Sequence, residues 1–94
     1  MIGVKDVSYF QIRFGSSKQY GYPKTLVQAR QGAYRYCKKE GFRSSCEIYE
    51  ITKKGEKYIG QAVGFRDGTV GWSFWPSGVV YRLYPNGRIK KEND

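Results

Sequence analysis

The 94-residue chain reads as an α+β domain: a single helix packed on one face of a four- to five-stranded, mainly antiparallel sheet, with elements in the order β-α-β-β-β-β. Three observations predict this. One segment near the start alternates apolar and polar residues with period 2, one capped segment carries apolar residues at spacings of three and four, and the remainder is short alternating runs divided by turn pairs. A chain of this length closes around one core and buries only roughly 60–65% of its unfolded surface, so residues 1–94 are expected to form a single small basic domain with residues 91–94 frayed.

The first strand is expected over residues 7–14. Phe10, Ile12 and Phe14 alternate there with Tyr9, Gln11 and Arg13, which gives one buried and one open face. Residues 15–23 are a loop by composition. The helix follows, starting at Thr25, with Gln28 three residues on as a capping box. Leu26, Ala29, Ala33, Cys37 and Tyr36 form its apolar stripe, and the small residues at 29, 32 and 33 imply close approach to a sheet. Lys38 and Lys39 suit the negative end of the helix dipole, and Gly41 followed by Phe42 fits a left-handed cap.

A meander completes the chain. Residues 46–53 are strand-like and turn at Lys54-Gly55. In residues 57–65, Ile59, Val63 and Phe65 are expected on one face and Tyr58, Gly60, Ala62 and Gly64 on the other. Asp67-Gly68 and Asn86-Gly87 are two-residue hairpin signals, bracketing strands at 69–75 and 79–84, with residues 88–90 pairing last. Gly60, Ala62 and Gly64 leave one strand face nearly bare, which predicts an aromatic ring from a neighbouring strand lying across it.

Several chemistries are excluded. With no His, the chain lacks Ser-His and Cys-His nucleophile pairs and His-containing zinc sites. Its carboxylates fall near termini and turns, or, for Glu47 and Glu50, on opposite strand faces. No enzyme and no cofactor is expected. Gly15-Ser16-Ser17-Lys18 lacks the spacing of a phosphate-binding loop. Cys37 and Cys46 are brought near each other by the helix-to-strand turn, as buried thiols or, alternatively, as a disulfide. The opening residues carry no signal-peptide pattern and no run long enough to span a membrane, so a cytoplasmic protein with no membrane partner is expected.

Charge and aromatic content carry the functional reading. Seventeen Lys and Arg against eight Asp and Glu give a net charge of +9, with nine Tyr. Such a field favours polyanions. Tyr9, Arg13, Tyr49, Arg82 and Tyr84 fall at open-face positions of the strands, with Tyr58 a further candidate for that face, and the first five are the candidate stacking and phosphate surface for nucleic acid, single strands favoured. Arg30, Arg35, Lys38 and Lys39 on the helix extend it. Of the two Trp, Trp72 is expected in the core with Phe74, and Trp75 is expected exposed as a partner-binding anchor. The alternative is a small protein-binding inhibitor or adaptor acting on an acidic protein surface.

The element order differs from an RNA-recognition motif, which has a second helix before its last strand, and from a double-stranded RNA-binding domain, which is flanked by helices. In its short, Tyr- and Lys-rich, His-free composition the chain is similar to small accessory proteins of phages and mobile elements, including inhibitors of host nucleases. That likeness implies a host-directed role by binding.

Overall fold

A computed structural model describes residues 8–15, 18–19, 21–74 and 77–91. In it β1 (Tyr9–Phe14) pairs with the two-residue β2 (Lys18–Gln19), α1 (Leu26–Glu40) follows, and β3 (Ser45–Thr52), β4 (Gly55–Gly64), β5 (Val70–Phe74), β6 (Val80–Leu83) and β7 (Ile89–Lys91) complete the chain. All ladders are antiparallel, in the sheet order β2-β1-β3-β4-β5-β6-β7. The architecture is the expected single helix on one face of an open antiparallel sheet. The sheet is larger than expected: six strands of three residues or more, plus the short β2. Lys91, expected to fray, belongs to β7 and lies opposite Tyr81.

The helix forms where its capping residues dictate. Thr25, in extended conformation, accepts from the Gln28 backbone N–H at 3.1 Å. The Gln28 side chain reaches back to the Lys24 N–H at 3.0 Å, one residue earlier than a capping box would place it. At the other end Gly41 adopts φ 87° and donates to the Cys37 carbonyl. Ala29, Gly32, Ala33 and Cys37 are the buried residues of the helix. Their small size lets it sit low over β1, β3 and β4.

Beneath the helix the sheet contributes Phe10, Ile12, Cys46, Ile48, Ala62, Val70, Trp72 and Leu83, all buried. Trp72 is fully buried, as its position with Phe74 predicted. Its ring lies over Gly60: a Cβ there would stand 2.9 Å from Trp72 Cζ2 and closer still to the Ser73 carbonyl. The bare strand face and its covering aromatic are therefore one feature.

One face assignment is corrected. Ile48 pairs with Gly60 while Tyr49 pairs with Tyr58, so Ile59 is an extra residue in β4. This β-bulge resets the alternation. Gly60 and Ala62 face the helix, whereas Tyr58 turns to the open face beside Tyr49, their ring centroids 5.4 Å apart. A strict period of 2 placed Tyr58 with the glycines, because a bulge leaves no mark in the apolar pattern.

Candidate nucleic-acid interface

The sheet face away from the helix was the first candidate, and its residues are largely engaged with one another. The Arg13 guanidinium lies 4.2 Å from the Tyr49 ring centroid. It donates to Gln11 Oε1 at 2.6 Å and pairs with Glu56 at 2.8 Å. This pairing raises Arg13 and holds the Glu56 carboxyl below its ordinary range. Tyr49 donates its hydroxyl to Glu47 at 3.0 Å. Burial, followed by that hydrogen bond, pushes the Tyr49 phenol up. A guanidinium already holding a carboxylate and a ring has little left for a phosphate.

Tyr9 meets Tyr22 edge-on at 6.1 Å. Arg82 and Tyr84 lie far from these residues. The order β1-β3-β4-β5-β6 puts four strand spacings, roughly 19 Å, between β1 and the Arg82 strand. There Arg82 stands opposite Gly71 and Lys90, and Tyr84 lines a concavity with Pro85, Arg88 and Lys90. The five open-face residues are thus split between the two sides of the sheet. Trp75, the expected partner anchor, lies outside the described residues.

The helix residues also divide. Arg35, Lys38 and Lys39 are exposed. Arg30 instead bends under the helix, its guanidinium 5.7 Å from the Trp72 ring. Burial lowers its pKa, and both Arg30 Nε and Trp72 Nε1 are buried without an acceptor among the described residues. Arg30 therefore belongs to the core margin, not to an outward-facing basic surface.

A second constellation lies at the C-terminal end of the helix. Phe42 keeps 46% of its surface exposed, with the Arg66 guanidinium 4.6 Å and that of Arg43 5.4 Å from its ring centroid. Phe65 is 40% exposed and rests on Gly71, where a Cβ would come within 2.7 Å of its Cζ. The exposed Lys38 reaches across the same corner to donate to the Gly68 carbonyl at 2.9 Å.

Backbone hydrogen bonds hold this corner. Arg43 N–H donates to the Gly64 carbonyl at 3.1 Å, and Gly64 N–H to the Ser44 carbonyl at 2.8 Å. The Ser44 hydroxyl donates to the Gly41 carbonyl at 2.6 Å. Gly64 is required by close approach, since a Cβ would strike the Gly41 carbonyl and lie 2.8 Å from Ser44 Oγ. Arg43 adopts φ 73°, the one positive φ at a non-glycine position among the described residues. That left-handed conformation is sparsely populated by non-glycine residues, a kind of strain that clusters at functional sites. On the facing loop Asp67 accepts from the Thr69 hydroxyl at 2.6 Å, which lowers its carboxyl.

Sequence reading passed over this corner, treating Phe42 only as a helix-cap contact. A signal was present: Gly-Phe-Arg occurs twice, at Gly41-Phe42-Arg43 and Gly64-Phe65-Arg66. The fold sets the two tripeptides side by side.

Cys37 and Cys46 are both buried and unbonded to each other. A hydrogen bond between the two thiols lowers Cys37 and raises Cys46. Among the described residues no group of three His, Cys, Asp or Glu could hold a metal, and no helix is long and apolar enough to cross a membrane. Comparison with protein-family models, with curated proteins and with solved structures found no match.

Proposed function

We propose that the chain is a non-catalytic nucleic-acid-binding module whose contact surface is the helix C-terminal corner. The exposed Phe42 ring with two guanidiniums near it is the observation that carries this reading. An unpaired base can stack on the ring while Arg43 and Arg66 take the flanking phosphates, and Arg35, Lys38 and Lys39 continue the positive surface along the helix. Glu40 and Asp67 offset part of that charge, but Asp67 is already occupied by Thr69. The pinned backbone fixes the ring before the ligand arrives, which lowers the entropic cost of binding. The free thiols are compatible with a reducing, cytoplasmic setting.

Fluorescence anisotropy with a labelled single-stranded oligonucleotide tests the proposal. Phosphate contacts from the five cations Arg35, Lys38, Lys39, Arg43 and Arg66 imply a log–log salt slope of about −3.5, a loss of roughly 130-fold between 50 and 200 mM salt. Phe42→Ala should weaken binding by roughly 5- to 150-fold, the equivalent of about 1–3 kcal/mol of stacking. No binding at low salt overturns the proposal. So does a Phe42→Ala variant that binds like wild type while Arg13→Ala does not.

A further inference from the structure

Row by row, the open sheet face carries a polar furrow. Arg13 stands opposite Glu47, Glu47 opposite Gln61, and Gln61 opposite Ser73. Tyr49 and Tyr58 flank this row one pair further along. Glu47, Tyr49, Tyr58, Gln61 and Ser73 line a concavity of about 540 Å³. Its acceptors are the Glu47 carboxylate, one oxygen of which accepts from the Tyr49 hydroxyl, the Gln61 amide oxygen, which accepts from the Tyr58 hydroxyl at 3.3 Å, and the Ser73 hydroxyl, which also donates. Among the described residues Glu47 has no ion-pair partner.

The chain itself shows what such a set recognises. On the neighbouring side of Tyr49, its own Arg13 is held by a tyrosine ring at 4.2 Å, a carboxylate at 2.8 Å and a glutamine amide oxygen at 2.6 Å. The concavity repeats these three groups as Tyr58, Glu47 and Gln61, with Ser73 as a further acceptor. A guanidinium has five N–H donors and no acceptor, and its flat face stacks on aromatic rings. A carboxylate or phosphate group would meet like charge at Glu47, and a neutral apolar group would leave the acceptors unpaired.

We infer that this concavity binds a guanidinium group, the arginine side chain of a partner protein. The arginine pairs with Glu47 and donates to Gln61 and Ser73. The net charge of +9 opposes approach of a strongly basic segment. The arginine is therefore presented by an otherwise acidic one, which the net positive charge of the chain attracts. Beyond a screening length of about 8 Å at physiological salt, the whole-molecule field counts for less than the carboxylate at contact.

An acetylated, amidated tripeptide of glutamate, arginine and aspartate, titrated against the full chain by NMR, provides the test. Binding should weaken at least tenfold when citrulline, neutral and of the same shape, replaces the arginine, and several-fold when lysine does. Glu47→Gln should cost at least tenfold, whereas Glu56→Gln, at the Arg13 latch, should stay within twofold. Ser73→Arg, which supplies a guanidinium from the chain itself, should abolish peptide binding with the circular dichroism spectrum unchanged. Equal binding of the citrulline peptide, or full binding by a folded Glu47→Gln or Ser73→Arg protein, overturns the inference, as does no binding at millimolar peptide. Phe42→Ala should leave peptide binding unchanged, so failure here and failure at the nucleic-acid corner are separate results.

Discussion

Glycine placement shows how single residues set this structure. Gly60 is needed because Trp72 and the Ser73 carbonyl occupy the space of its side chain. Gly60→Ala should overpack the site and cost about 1–3 kcal/mol. For a domain of this size that lowers the melting temperature by roughly 4–20 °C, readable by thermal circular dichroism. Tyr49 gives a pH signature. Its folded phenol titrates above the ordinary value of about 10, so its contribution to stability is complete below that pH and lost as pH rises through the folded value. The melting temperature should fall on titration above about pH 10, and Tyr49→Phe should fall less steeply. Tyr36 and Tyr58, shifted the same way by burial, contribute to the remaining slope.

At the scale of elements, the helix divides its cations by direction. Arg30 sits toward Trp72 with its Nε unpaired, while Arg35, Lys38 and Lys39 face solvent. A part-buried guanidinium whose Nε has no acceptor among the described residues is a cost to the fold that an apolar chain of similar length avoids. Arg30→Met should therefore keep or raise the melting temperature and leave oligonucleotide affinity within twofold. A substantial loss of affinity would return Arg30 to the binding surface. The helix itself was legible residue by residue: Thr25 caps it, Ala29, Ala33 and Cys37 bury, and Gly41 ends it. Such signals are local and need no tertiary context. The bulge at Ile59 was not legible, because its cause is the register between two strands, not a property of either.

Across the whole molecule, the helix covers one sheet face and leaves the other open, and the positive charge spreads over the folded body. The two proposed sites use these surfaces differently. The helix corner concentrates cations around exposed Phe42, and the open face holds an acceptor-rich furrow around Glu47. Local pattern determined much: a small basic chain without His, with one helix and a run of antiparallel strands, a buried Trp72 and an aromatic ring across the bare face around Gly60. These follow from periodicity, caps and turn pairs, all encoded within a few residues of one another. The tertiary structure alone decided which charges are available. Arg13 reads from sequence as a free phosphate ligand, yet Glu56, 43 positions away, comes within 2.8 Å and engages it. Phe42 reads as a cap residue until Arg66, 24 positions on, is folded against its ring. Pairing of this kind depends on strand order and register, and the burial of Arg30 depends on what the helix covers, so neither is written in the neighbouring residues.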